Sequence, residues 1–480
     1  MAAEMDAPAQ SSEAGFAAYV ESLAQVLGHA DRAQPFQDYC AGLLLPGERK
    51  SVEPMAALVA PARASAEHQS LLHFVAQAPW SAEAVLSKVR ELVLPTIVEQ
   101  GGPIEAWIID DTGFAKKGAH SVGVARQYCG RLGKTDNCQI AVSLSVANHA
   151  ASLPLAFRLY LPQEWADDDA RRQKAHVPAE VRFETKPRIA LAQIAAAHAA
   201  DVPPGVVLAD AAYGTNGDFR AALTGMGLAY AVGVQSNVTI WPPGLEPLPA
   251  KPWSGRGRRP TRLRRDAQHG PVTVKQLALS LPASAWTDVT WREGSNDALS
   301  SRFCALRLRP AGEDFRRTEP NDAEWLLVEW PEGEAEPTKY WLSTLPEDTP
   351  LEALVDTTKL RWRIERDYEE LKSELGLSHY EGRGWRGFHH HATLCIAAYG
   401  FLIRERAALP PSAVEIRKEP AVSNRPRPRG AADPTRAPRR KLDRNGQAQA
   451  DGRPRQNAAA MSVLPSANST PALSAPFMTQ

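Results

Sequence analysis

The sequence predicts an α/β fold with a mixed sheet, preceded by a helical segment and interrupted by a β-rich one. Three observations carry this. Residues 15–100 show helical periodicity cut by Pro and Gly breaks, three short β-rich runs fill 104–148, and helices alternate with apolar strand-like runs from 188 to 234. With 480 residues, 44% hydrophobic and 23% charged, the chain has room for two or three domains and an ordinary buried core.

Taken in order, AAYVESLAQVLG and SAEAVLSKVRELVLPTIV are helical patterns without a strand signal. The period then changes. IEAWIIDDT, SVGVARQYCG and NCQIAVSLSVA read as three strands of an antiparallel meander, separated by the turn-like GFAKKGAH and RLGKTD. The helix RIALAQIAAAHAA, the apolar strand GVVLAD, the turn AAYGTNG, the helix FRAALTGMG and the strand AYAVGV follow. From 236 to 338 the pattern breaks into short Pro- and Trp-bearing strands, including VTVKQLALSL, RFCALRLRPA and EWLLVEWP, which suggest an insertion. KYWLST and the helix RWRIERDYEELKSELGL then resume the α/β pattern. Beyond 407, RPRPRG and RAPRRKLDR sit in a Pro-, Ala- and Arg-rich stretch without apolar periodicity, expected to be a disordered basic tail. The expected boundaries are a disordered terminus at 1–14, a helical domain at 15–100, a core at 104–235 and 339–407, a β-rich insertion at 236–338 and the tail at 408–480.

Composition excludes several classes. Formal net charge is zero, so a nucleic-acid partner must be held by local patches. Cys40, Cys129, Cys138, Cys304 and Cys395 form neither a CxxC pair nor an even set, which argues against a disulfide framework or a zinc site and suits a reducing cytoplasm. The N-terminus lacks the basic and apolar regions of a secretion signal, and LCIAAYGFLI is too short to span a bilayer. Walker, GxSxG and strand-linked GxGxxG motifs are missing, leaving nucleotide hydrolysis, serine hydrolysis and dinucleotide binding without support.

The chemistry lies in the acids. Asp110 or Asp111 ends one apolar strand and Asp210 another. A single such residue is ordinarily a turn or cap group. In the helix at 361–377, Ile364, Tyr368, Leu371 and Leu375 form an apolar stripe. Arg361, Glu365 and Lys372 fall within about 40° of one another beside it, at roughly 100° per residue. Alone, the Arg361–Glu365 pair reads as a solvated surface ion pair worth about 0.5 kcal/mol. Joined to two strand-end aspartates, Glu365 completes a set of three carboxylates able to hold two divalent cations about 4 Å apart and direct an in-line attack on a phosphodiester. Arg361 and Lys372 then suit phosphate binding.

Further cations point the same way. Lys251, Arg256, Arg258, Arg259, Arg262, Arg264 and Arg265 crowd one segment of the insertion beside Trp253, a composition suited to DNA phosphates and an unpaired base. Lys116 and Lys117 follow the first aspartates and are candidate phosphate contacts. His389, His390 and His391 are consecutive, so on a helix they diverge by about 100° per step and do not share one ion; packing or DNA contact is expected.

These residues resemble the DDE transposases of bacterial insertion sequences, in the group whose glutamate lies in a Tyr-x2-Arg-x3-Glu-x6-Lys signature. Arg361, Glu365 and Lys372 match its last three members, and Thr358 replaces the tyrosine. DDTGFAKKGAHSVGVARQYCG and LADAAYG are similar to the first- and second-aspartate blocks. The resemblance spans about 105 to 405. It implies a ribonuclease H-like core, cut-and-paste strand cleavage and transfer with two Mg²⁺ or Mn²⁺ ions, and double-stranded DNA, terminal repeats and target, as partner. A homodimer in the DNA complex and a cytoplasmic, nucleoid-associated location are expected with it. Adjacent strand residues point to opposite faces, so only one of Asp110 and Asp111 joins the site. The family block, Asp then a variable residue then Thr, favours Asp110. The alternatives are a catalytically inactive DNA-binding relic and a carboxylate-pair hydrolase such as a glycosidase, against which the flanking cations speak.

Overall fold

In a computed structural model of the protein, residues 6–291 and 299–408 are described. The tail expected over 408–480 lies outside them except for Ala408, as do residues 1–5 and 292–298.

Five helices open the chain: α1 (Asp6–Ala24), α2 (Ala33–Leu44), α3 (Val52–Val59), α4 (Ala64–Ala76) and α5 (Ala82–Gly101). The terminus expected to be irregular is thus helical from Asp6. The reason is tertiary, because Ser12 hydrogen-bonds Glu405 and the Phe16 ring meets Phe401 edge-on at 5.1 Å. Four strands follow, β1 (Ala106–Ala115), β2 (Ala125–Cys129), β3 (Lys134–Ala147) and β4 (Ser152–Leu159). Sequence reading missed β4, whose SLPLAFRL carries a proline. Next come α6 (Gln163–Ala166), α7 (Asp169–Lys174), α8 (Lys186–Ala199), β5 (Val206–Ala209), α9 (Ala211–Gly214), α10 (Gly217–Gly225) and β6 (Tyr230–Val234).

The segment at 236–338 holds β7 (Thr239–Trp241), β8 (Val272–Thr273), α11 (Val274–Ser280), β9 (Thr287–Trp291), β10 (Leu299–Pro310) and β11 (Glu324–Trp330). VTVKQLALSL, read as a strand, is mostly helix. A capping box is the cause: the Thr273 hydroxyl accepts from Gln276 N–H and the Gln276 side chain accepts from Thr273 N–H. Last come β12 (Lys339–Ser343), α12 (Leu351–Lys359), α13 (Arg363–Glu369) and α14 (Trp385–Ala408).

The strands form one mixed sheet ordered β2-β3-β1-β5-β6-β12-β11-β10-β7-β8, with β4 also on β3 and β9 on β10. β1 runs antiparallel to β3 and parallel to β5, and β5 is parallel to β6. Beyond β6 the pairing is antiparallel, so β10 and β11 extend the same sheet through β12.

Alternation along β1 sorts its side chains between two cores. Trp107 and Ile109 join the large cluster that includes α5, α8 and α14. Ala106 and Ile108 pack with Leu208 of β5 and with Leu360 and Ile364 on the other face. The α14 run LCIAAYGFLI is enclosed almost all round, which is why it is apolar on every side.

Candidate active site

The aspartates expected to end the first strand lie in its middle, because pairing with β3 carries β1 on to Ala115, and the two faces of β1 separate them. Asp110 continues the Ala106 and Ile108 row toward Leu360 and Ile364, and Arg361 Nη1 reaches Asp110 Oδ2 at 3.1 Å. Asp111 faces the other way, where Lys186 Nζ lies 2.5 Å from its Oδ2 and the Tyr213 hydroxyl donates to the same oxygen at 3.5 Å. Since Ile108 pairs with Leu208, Asp210, the first residue after β5, stands two residues beyond that pair as Asp110 does in β1, on the same face.

Asp210 also caps α9, its Oδ1 accepting from Ala212 N–H at 2.9 Å, as the turn reading of a strand-end aspartate expects. Close backbone packing fixes that turn. A Cβ on Gly214 would lie 2.1 Å from the Gly233 carbonyl oxygen, so only glycine lets α9 sit against β6.

The helix expected over 361–377 is broken into three. Leu360–Trp362 is a 3₁₀ turn, α13 carries Glu365, and Glu370–Glu374 is a π turn. Ile364, Leu371 and Leu375 are buried as the stripe requires. Arg361 Nη2 stands 3.5 Å from Glu365 Oε1, so one guanidinium meets two carboxylates. Glu365 is 54% exposed, whereas Asp110 is 15% and Arg361 25% exposed. Burial pushes the Asp110 carboxyl up to about 6, aided by the charge of Asp210 and opposed by Arg361. Against burial, which opposes its charge, Asp110, Asp210 and Glu365 together hold Arg361 above the usual arginine value.

Lys372 departs from its expected place. Instead of aligning with Arg361 and Glu365 beside the stripe, its ammonium hydrogen-bonds Thr112 Oγ1 and the Gly113 carbonyl, the latter at 3.2 Å, and lies against Phe114 and Tyr368. The π turn explains this, because its wider winding breaks the 100° step that aligned Lys372 with the row. Burial lowers its pKa to about 8.

The remaining candidates divide. Lys116 Nζ is tied to the Tyr380 carbonyl at 2.8 Å, while Lys117 is exposed. Arg256, Arg258, Arg259 and Arg262 are all exposed, as is Trp253, whose Nε1 donates to Gly257 O at 3.1 Å. His389, His390 and His391 are packed among backbone and ring partners, His390 stacking on Trp80 with centroids 3.6 Å apart. Burial drives all three down to about 4, so they are neutral.

Lys186 and Tyr213 escaped sequence reading. One signal for Lys186 was available: a cation at the first position of α8 opposes the helix dipole and therefore needs a partner elsewhere. The Asp110, Asp210 and Glu365 donor set is all oxygen, which suits a hard divalent cation. The spacing does not: among the described residues no three His, Cys, Asp or Glu side chains stand close enough to hold one ion.

Compared with known families, residues 22–298, more than half of the chain, match the DDE superfamily endonuclease model. The chain belongs to this superfamily. The matched range contains Asp110, Asp111 and Asp210 and ends ahead of Glu365. A probable transposase for insertion sequence element IS701 from Microchaete diplosiphon is 36% identical over 170 residues, 35% of this chain and 41% of that relative. The aligned part therefore spans about two fifths of the relative's length. DDE superfamily endonucleases generally use divalent metal ions. Among the described residues, no helix is long and apolar enough to cross a membrane.

Proposed function

We propose that the protein is a DNA transposase that cleaves and transfers strands of an insertion element, with Asp110, Asp210 and Glu365 as its carboxylate triad. The observation that carries this is Arg361, which pairs with Asp110 of β1 and Glu365 of α13 and also feels the charge of Asp210 just after β5. The order β4-β3-β1-β5-β6, with β5 and β6 parallel to β1, supports a ribonuclease H-like core. Asp210, where the chain leaves β5, fits that architecture.

Each residue has a role in this reading. Asp110 and Asp210 are the strand-borne ligands, and Glu365 approaches from α13. Two Mg²⁺ or Mn²⁺ ions, when bound, supply activation of a water or 3′-hydroxyl and stabilise the leaving oxygen. Lys186 neutralises Asp111 on the opposite face, so Asp111 positions β1. Lys372 holds the Thr112 and Gly113 segment just after the aspartates. Arg256, Arg258, Arg259 and Arg262 meet DNA phosphates along an exposed loop, and Lys117 meets them from the turn after β1. Terminal repeats and target DNA are the partners, two element ends require a dimer, and the protein acts in the cytoplasm on the nucleoid.

An inactive DNA-binding relic is the second reading, favoured by the lack of a ready metal group among the described residues. Retention of all three carboxylates weighs against it. Glu365→Gln and Asp210→Asn are expected to abolish cleavage of DNA carrying the element ends while leaving DNA binding intact. Cleavage at the wild-type rate by either variant removes that residue from the triad.

A further inference from the structure

Arg361 stands between two of the carboxylates whose chemistry suits a divalent cation and whose spacing does not. Its guanidinium spans Asp110 of β1 and Glu365 of α13, two of the acids that would hold a cation in the proposed reading. Arg361 sits in the 3₁₀ turn Leu360–Trp362 between α12 and α13, a change of winding of the kind that marks hinges. Leu360 and Ile364 on either side are fully buried, so the backbone is anchored while the side chain can change partners. Asp110 Oδ1 meanwhile accepts from Asp111 N–H at 2.8 Å, and Lys186 is committed to Asp111. Arg361 is therefore the side chain that supplies a full positive charge at hydrogen-bond distance to Asp110.

A guanidinium and a divalent cation repel, and they compete for the same oxygens. Phosphate offers the guanidinium the same two-pronged geometry as a carboxylate. The exposed side of Glu365 leaves that end of the guanidinium open to an incoming backbone. We propose that Arg361 is an internal counter-ion that bars a divalent cation from Asp110 and Glu365 until a DNA phosphate draws the guanidinium away, so that metal loading follows DNA binding. This rests on the reading of these acids as metal ligands.

The test is Mn²⁺ binding to the full chain, followed through the electron paramagnetic resonance signal of the free ion. Without DNA, Arg361→Gln and Arg361→Met are expected to bind Mn²⁺ about tenfold more tightly than wild type, a usual size for coupling between two ligands of one protein. A short mixed-sequence DNA duplex, corrected for its own Mn²⁺ binding, is expected to tighten binding by wild type and to leave both variants unchanged. Equal affinities in wild type and both variants without DNA overturn the proposal, and so does a wild type indifferent to the duplex. Failure of the underlying reading is seen separately: Asp110→Asn added to Arg361→Gln would then leave Mn²⁺ affinity unchanged. The wild-type arm, with and without duplex, stands even if a variant misfolds.

Discussion

Asp110 and Asp111 are neighbours in β1 yet answer to different cations, Arg361 at 3.1 Å for Asp110 and Lys186 at 2.5 Å for Asp111. The pleat sends them to opposite faces, and only the Asp110 face also carries Asp210 and the Glu365 helix.

The two aspartates should therefore fail differently when neutralised. Asp110→Asn is expected to abolish strand cleavage. Asp111→Asn is expected to retain measurable cleavage and to lose about 1–2 kcal/mol of stability, because a half-buried lysine keeps its charge without its partner. Cleavage assays beside urea unfolding of both variants decide; full activity in Asp110→Asn with none in Asp111→Asn would reverse the assignment.

Lys372 separates a positioning role from a phosphate contact. With its ammonium on Thr112 and Gly113, Lys372→Met is expected to cost on the order of 1–3 kcal/mol and to leave the salt dependence of DNA binding as it was. A phosphate contact would instead lower the slope of log affinity against log salt by roughly one.

Asp367, fully buried, accepts hydrogen bonds from Ser152 and from Tyr399, the latter at 3.0 Å, joining α13 to β4 and α14. Burial raises its carboxyl from the usual 3.8 to about 6 despite those bonds. The folded chain then holds the proton more tightly than the unfolded one. That contribution is complete below the unfolded value and is lost as pH rises through about 6. Relative to Asp367→Asn, wild type is expected to lose on the order of 3 kcal/mol across this window. Urea unfolding of both proteins at several pH values measures it, and parallel curves would rule it out.

The arginine loop should govern the electrostatic part of DNA affinity. Arg256, Arg258 and Arg259 are exposed, so their joint change to alanine should leave thermal stability unaltered. DNA affinity is expected to fall and its salt slope to flatten by up to about three. An unchanged slope would exclude the loop from the interface.

Local pattern was enough for much of the rest. AWIIDDT placed both aspartates in β1, although the strand runs on to Ala115 against β3 instead of ending at them, GVVLAD placed Asp210 directly after β5, and the Ile364, Leu371 and Leu375 stripe fixed which side of the helical segment is buried. Helical geometry also kept His389, His390 and His391 from sharing one ion, while packing, one of the two roles left open for them, is where the structure puts them. These features depend only on spacing along the chain, because the periodicity of side-chain direction is set by backbone geometry within a few residues. Other decisions needed elements far apart in sequence. Which aspartate meets Arg361 depends on what covers each face of β1, and Lys186 becomes the partner of Asp111 only because α8 crosses the opposite face. The π turn Glu370–Glu374 rotates Lys372 onto β1, which no regular wheel anticipates. Sequence determined the strands that carry the acids, the stripe and the stock of acids and cations; tertiary packing decided where β1 ends and how the charges pair, because strand length and ion pairs are fixed by the relative placement of whole elements.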